Sequence, residues 1–187
     1  IGSYDKSYFK LMANLDLGGM EWNPIGFYRD SSELSGEVQT PFFGHFDGNG
    51  KTISNFKLSR GTWGNTGFFG AARDASIENL TLCPGKTVTG RTNTAILAGS
   101  AENTRIADCV VRGNISSAGV AGGIAGRIEG SEKSGSVIEN CTAYVTINVN
   151  GGQELYAGGI CGRAAGSSIV DCRVETGDNQ SARIQGQ

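Results

Sequence analysis

The groups in this chain able to do bond-making chemistry are two spaced carboxylates, a set of thiols and one imidazole. Asp108 and Asp171 occupy the same slot of a recurring phrase. On strands stacked about 4.8 Å apart, residues two repeats apart lie roughly 10 Å from each other, near the carboxyl separation of an inverting glycosidase. Asn140 fills that slot between them, so a row of hydrogen-bonding corners accounts for both acids without catalysis. Cys109, Cys141 and Cys172 also share one slot, where earlier copies carry Phe56 and Leu80. That equivalence marks them as small buried hydrophobes. The total of 5 cysteines is odd and no Cys-x-x-Cys is present, so neither a closed disulfide framework nor a zinc site is expected. Cys83 and Cys161 are less constrained. His45, the single histidine, has no serine or cysteine motif around it and reads as a turn-flanking residue. Asp47-Gly48-Asn49-Gly50 has the look of a calcium loop but lacks the closing glutamate, and it reads as a tight turn. No His-Glu-x-x-His occurs. The expected catalytic set, metal set and cofactor set are therefore all empty.

The elements that hold these groups are repeats. The phrase Ile-x-Asn/Asp-apolar-x-apolar starts at Ile53, Ile77, Ile106, Ile138 and Ile169, at spacings of 24, 29, 32 and 31 residues. Ahead of four copies stand Phe68-Phe69-Gly70, Leu97-Ala98-Gly99, Ile124-Ala125-Gly126 and Ile160-Cys161-Gly162. Self-similarity at this period signals a solenoid. The fourth and sixth positions of the phrase obey the period of a strand, and the first is out of phase. A bend must lie between, at Asn55, Asn79, Asp108, Asn140 and Asp171, residue types that tolerate left-handed angles. An amphipathic helix would need apolar residues sustained over several turns, and glycines interrupt every copy. The chain therefore reads as all-β, a right-handed single-stranded parallel β-helix with about three strands per coil. Columns of equivalent side chains should run inside it: Phe56, Leu80 and the three cysteines in one, the five isoleucines in another. The repeated glycines fit where a side chain would strike the next coil. Residues 1–187 form one segment, with lead-in coils over 8–58, repeats over 59–175 and a tail over 176–187. Residues 29–40 read as a polar loop. The interval after Gly126 is five residues longer than its counterparts, so an insertion marks one side.

Composition narrows the function. A net charge of −2 provides no basic field for nucleic acid or anionic lipid. No run of 18 apolar residues could insert in a membrane. The first residues, Ile1-Gly2-Ser3-Tyr4-Asp5, are not a signal peptide, and the chain reads as a processed or trimmed piece. Trp63, in a polar glycine-rich stretch, is the candidate ligand contact: an exposed Trp stacks on a sugar ring or anchors a protein. Its alternative is to fold back on Phe68 and Phe69. Trp22 reads as core. Asn79, Asn114, Asn140 and Asn179 head glycosylation-type triplets, two of them in the corner slot, and these are discounted.

Leu11-Met12-Ala13-Asn14-Leu15-Asp16-Leu17, then Trp22 with Pro24-Ile25-Gly26, then the run Phe46 to Asn55, resemble the lead-in of bacterial surface proteins that carry GLUG motifs. Gly123-Ile124-Ala125-Gly126 and Gly159-Ile160-Cys161-Gly162 resemble the motif itself, and the resemblance covers roughly residues 8 to 175. It implies an extracellular bacterial β-helix from an adhesin-like or surface-anchored protein. Similar segments occur as non-catalytic regions of secreted immunoglobulin A metallopeptidases. The resemblance carries no catalytic motif. This chain departs from the pattern at Ile96-Leu97-Ala98-Gly99, where the first glycine is replaced, and in having no counterpart of the segment expected before Tyr8. The expected role is a non-enzymatic adhesion or spacer module meeting a host glycan or an extracellular protein. A polysaccharide lyase or hydrolase acting on a lateral face is the alternative.

Overall fold

The computed structural model describes residues 7–28, 39–59, 64–131, 134–151, 155–175 and 183–186. Among these the chain is all strand and turn, with no helix, and parallel strands stack into a β-solenoid of about four turns. Each coil has three sides. The first is short: Asn65–Thr66, Asn93–Thr94, Val120–Gly122 and Tyr156–Gly158. The second has five residues: Phe69–Arg73, Ala98–Glu102, Ala125–Glu129 and Cys161–Ala165. These two sides make separate four-stranded sheets. The third side is bent at the Asn/Asp corner and belongs to a twelve-stranded sheet.

Register fixes the inward columns. Ile77, Ile106, Ile138 and Ile169 face one another in succession, as do Leu82, Val111, Ala143 and Val174. The corner residues take left-handed angles as expected, with φ of 55° at Asn79, 53° at Asp108, 50° at Asn140 and 51° at Asp171. Such angles cost an ordinary side chain free energy, and Asn and Asp offset part of it through local hydrogen bonds. A second corner follows the five-residue side, at Asp74, Asn103 and Gly166, with φ of 48°, 48° and 56°. Each lies four residues after a repeated glycine. In the third coil the insertion occupies this corner. There the Ser136 hydroxyl donates to the Glu129 carbonyl at 2.6 Å and accepts from the Thr104 amide at 3.0 Å, restoring the lost connection.

The first copy of the phrase corrects the sequence reading. Ile53 faces Leu82, and Phe46 faces Ile77. Two extra residues between Asp47 and Lys51 form a bulge opposite Asn79, so the isoleucine column is headed by Phe46, not Ile53. Phe56 likewise does not stand over Leu80, which faces Lys51. The phrase at Ile53 turns a different corner: Asn55 has φ 59°, its amide bonds the Cys83 carbonyl at 2.8 Å, and Phe56 O accepts from Gly85 N at 2.9 Å. Above this strand lie Tyr8–Lys10 and Leu15–Asp16, both parallel to it. Gln39–Thr40, expected in a loop, pairs antiparallel with Phe27–Tyr28. The expected tail contains a strand, Arg183–Gly186, that pairs parallel with Thr146–Val149.

The two ends of the core differ. Towards the N-terminus a cluster of rings closes it: Phe69 packs against Phe42 at 5.1 Å and Phe46 at 5.4 Å, and Phe68 against Phe56 at 5.5 Å. Trp22 stacks on Phe68 at 4.3 Å and donates its indole N–H to the Phe68 carbonyl at 3.0 Å, which bears out its reading as core. At the other end the last coil leaves Ile169 and Val174 each 44% exposed.

Candidate functional site

Four places in the fold hold the residues singled out above, and a fifth is an aromatic cleft. The first is the Asp47 turn. The Asn49 amide donates to Asp47 Oδ1 at 2.7 Å, and Asn49 and Gly50 take φ of 51° and 66°. The turn reading holds, and the structure adds partners from distant strands. Asn79 Nδ2 donates to the same oxygen at 3.2 Å, while Tyr8 Oη and Lys10 Nζ each approach Oδ2 at 3.1 Å. The residue is buried. The Asn49 amide, then the Lys10, Asn79 and Tyr8 donors, hold its carboxyl well below the usual carboxylate range, overcoming the opposing effect of burial. The convergence of a cation and several N–H and O–H donors satisfies an anion, whereas a calcium ion needs converging oxygens.

His45 begins the strand His45–Ser54. Its ring stacks on Tyr8 at 4.7 Å, and Nε2 lies 3.0 Å from Glu78 Oε1. The Tyr8 hydroxyl donates to Asp47 instead of the imidazole, and a carboxylate has no proton for the imidazole to take, so neither contact activates a nucleophile. Glu78 also takes Arg105 Nη1 at 2.8 Å, and Arg105 Nη2 reaches Glu139 Oε1 at 2.5 Å. His45, Glu78, Arg105 and Glu139 make a row of polar contacts that climbs the third side parallel to the solenoid axis. The five-residue side has its own pairs, Arg73 with Glu102 at 2.8 Å and Arg127 with Glu129.

The acids of the corner slot stand where expected. Asp108, Asn140 and Asp171 follow one another in register, and Asn140 Nδ2 donates to Asp108 Oδ1. Their slot does not extend as one unbroken ladder through Asn79 and Asn55, because Asn79 is drawn to Asp47 and Asn55 Nδ2 donates to Asp16 at 3.0 Å.

The thiols are free, and Cys109 and Cys141 are fully buried. Cys172, on the last coil, is half-buried, which corrects the expectation of equal burial. Burial pushes the Cys109, Cys172 and Cys83 thiols up, and Cys161 up to about 11. With an alkylating reagent at mildly alkaline pH, Cys172 is expected to react well ahead of Cys109 and Cys141, which should wait for unfolding. Labelling read by peptide mass at timed intervals checks this, and equal rates for all three would refute the burial difference.

The fifth place is a cleft of ≈ 320 Å³ at the N-terminal end, lined by Phe9, Ile25, Pro41, Phe42, Phe43 and Phe46 among others. Its walls are mostly apolar, suited to a flat or aliphatic group. The sequence reading did not identify it, because its rings come from separated stretches of the lead-in. Trp63, the candidate ligand contact, lies outside the described residues. Among the described residues no group of three or more His, Cys, Asp or Glu side chains could hold a metal ion, and no helix is long and apolar enough to cross a membrane.

No family model matches the chain, and no curated protein matches it. Among solved structures it is similar to the crystal structure of a candidate immunoglobulin A1 protease from Bacteroides ovatus. The two share 26% sequence identity over 90% of this chain, with a TM-score of 0.67. The chain spans 50% of that protein's length. The similarity associates this β-solenoid with a protein of that name.

Proposed function

We propose that this chain is a non-catalytic β-solenoid module of a larger bacterial surface or secreted protein, acting as a spacer and adhesive surface of the kind carried by GLUG-motif proteins. The observation that carries the reading is the use of outward charges along the coils. Glu78, Arg105 and Glu139 pair along the solenoid axis, as do Arg73 and Glu102. Charged side chains arranged in rows discourage lateral self-association of the strands, whereas cleavage of a glycan needs carboxyls converging on one bond. The similarity to part of a longer protein from a Bacteroides species fits a module rather than a whole enzyme. Host glycans and extracellular proteins are the partners this role calls for, with the aromatic cleft as the described site best shaped to contribute a contact.

A reducing-sugar assay over a panel of polysaccharides, run beside a glycan array, tests the proposal. No sugar ends should be released, and Asp108→Asn should leave the array pattern unchanged. Release of sugar ends that Asp108→Asn abolishes would establish the alternative, a carbohydrate-active enzyme working on the Asp108–Asp171 face.

A further inference from the structure

Three thiols stand in one row near the C-terminal end of the solenoid. The pairings Val110↔Thr142 and Thr142↔Arg173 place Cys109, Cys141 and Cys172 on successive coils, one directly after another. All three adopt the same pose. Each donates to the carbonyl two residues earlier, Ala107 at 3.1 Å, Glu139 at 3.2 Å and Val170 at 3.2 Å. Each also leans towards the preceding coil, reaching the carbonyls of Ile77 at 3.8 Å, Ile106 at 3.8 Å and Ile138 at 3.6 Å. The Cys172 sulfur therefore projects into the step between its own coil and that of Cys141. The Cys141 sulfur also accepts the Cys109 amide at 3.4 Å.

The two adjacent pairs are not equivalent. Cys109 and Cys141 are both fully buried, so no reagent reaches that step. Cys172 is half-buried on a coil whose Ile169 and Val174 are open to solvent. A reagent can reach it, and its coil can shift without disturbing a described coil beyond it. Residues opposed on neighbouring strands, about 4.8 Å apart, lie within the Cα range that a disulfide spans. Both sulfurs lean towards the preceding coil, so closure needs the side chains to turn towards each other.

We propose that Cys141 and Cys172 are an oxidation site, closed as an inter-coil disulfide by a small-molecule disulfide such as oxidised glutathione. The Cys172 thiol gives its proton to solvent, and the thiolate attacks one sulfur of the oxidant, releasing one small thiolate. The Cys141 thiol then loses its proton and attacks the Cys172 sulfur, releasing the second. The protein gives up two electrons and two protons, and the oxidant leaves as two thiols. The new bond clamps the last coil to the body of the solenoid. The reaction does not depend on the adhesive role, although an oxidising exterior would let its product persist.

The folded chain is incubated with oxidised glutathione and then unfolded in denaturant, its remaining thiols are blocked, and intact mass and a non-reduced peptide map are recorded. Two of the 5 thiols should disappear, no glutathione should remain attached, and the map should join the Cys141 and Cys172 peptides. The rate should rise with pH, because burial raises the Cys172 thiol. Cys109→Ala should still close the bond, and Cys141→Ala should stop at a glutathione adduct on Cys172. If Cys141→Ala fails to fold, the map of the unaltered chain decides. Five blockable thiols, a lasting adduct on the unaltered chain, or a link to any other cysteine would overturn the proposal.

Discussion

Valine in place of Gly126 is expected to destabilise the solenoid by roughly 3 kcal/mol or more. Gly126 belongs to a column with Gly70, Gly99 and Gly162, one on each five-residue strand, as the neighbouring register shows. Here each coil turns so tightly that the backbone of the short side lies beneath the glycine. A Cβ added at Gly126 would sit 2.7 Å from the Gly99 carbonyl oxygen, 2.7 Å from the Thr94 amide nitrogen and 2.8 Å from the Asn93 carbonyl carbon. These are backbone atoms held in parallel ladders and cannot rotate away. Relief must come from separating strands, which breaks hydrogen bonds on both sides. Urea unfolding followed by circular dichroism measures the loss. Gly64→Ala is the control, since a Cβ there meets nothing within 4 Å, and it should change stability by less than about 1 kcal/mol. A Gly126→Val protein with an unchanged midpoint would show that the coils have more room than this geometry allows.

Asp47→Ala is expected to cost on the order of 2 kcal/mol at neutral pH. The substitution strands the Asn49 amide, the Asn79 side chain, Tyr8 and Lys10 without their common acceptor. A pH profile isolates the charge. The folded-state carboxyl ionises below its unfolded value of about 3.9, so the unfolded chain takes up the proton first as pH falls. Stability from Asp47 is thus fully present above about pH 4 and is lost as pH falls towards the folded value. Asp16, held low by the Gly18 amide and then Asn55, acts in the same direction. Asp47→Asn should therefore flatten, though not abolish, the fall in stability on the acid side. An identical acid limb in the variant would mean that the carboxylate is not what fastens Tyr8–Lys10 to the bulge.

Much of this fold was legible because a solenoid repeats its environment, and a repeated environment selects repeated residue types. The isoleucine column, the left-handed Asn/Asp corners and the close-packed glycines could each be read from spacing alone. The error lay at Ile53. Its phrase matches the others, yet its spacing of 24 residues to Ile77 is short, while Phe46 stands 31 residues before Ile77, within the range of the later coils. Similarity of phrase outweighed period, and the bulge at Asp47–Gly50 broke the register. The second corner was also within reach: Asp74, Asn103, Gly130 and Gly166 each stand four residues after a repeated glycine. The candidate sites were less legible. Tyr8, Lys10 and Asn79 meet at Asp47 from distant parts of the chain, and their separation in sequence is no guide, because stacking sets the contact.

By itself the sequence determined that the chain would coil, roughly how often, and which residue types would face inward. These follow from local rules, namely the period of a strand, the angles that Asn, Asp and Gly tolerate, and the burial of apolar side chains. Only the tertiary structure decided which coil each residue joins. That choice placed Phe46 over Ile77, drew four donors onto Asp47, paired Arg105 with acids on both sides, and left Cys172 half-open beneath a sealed Cys141. The physical reason is that parallel stacking converts separation along the chain into neighbours about 4.8 Å apart. One bulge of two residues then shifts every pairing beyond it on the strand that carries it.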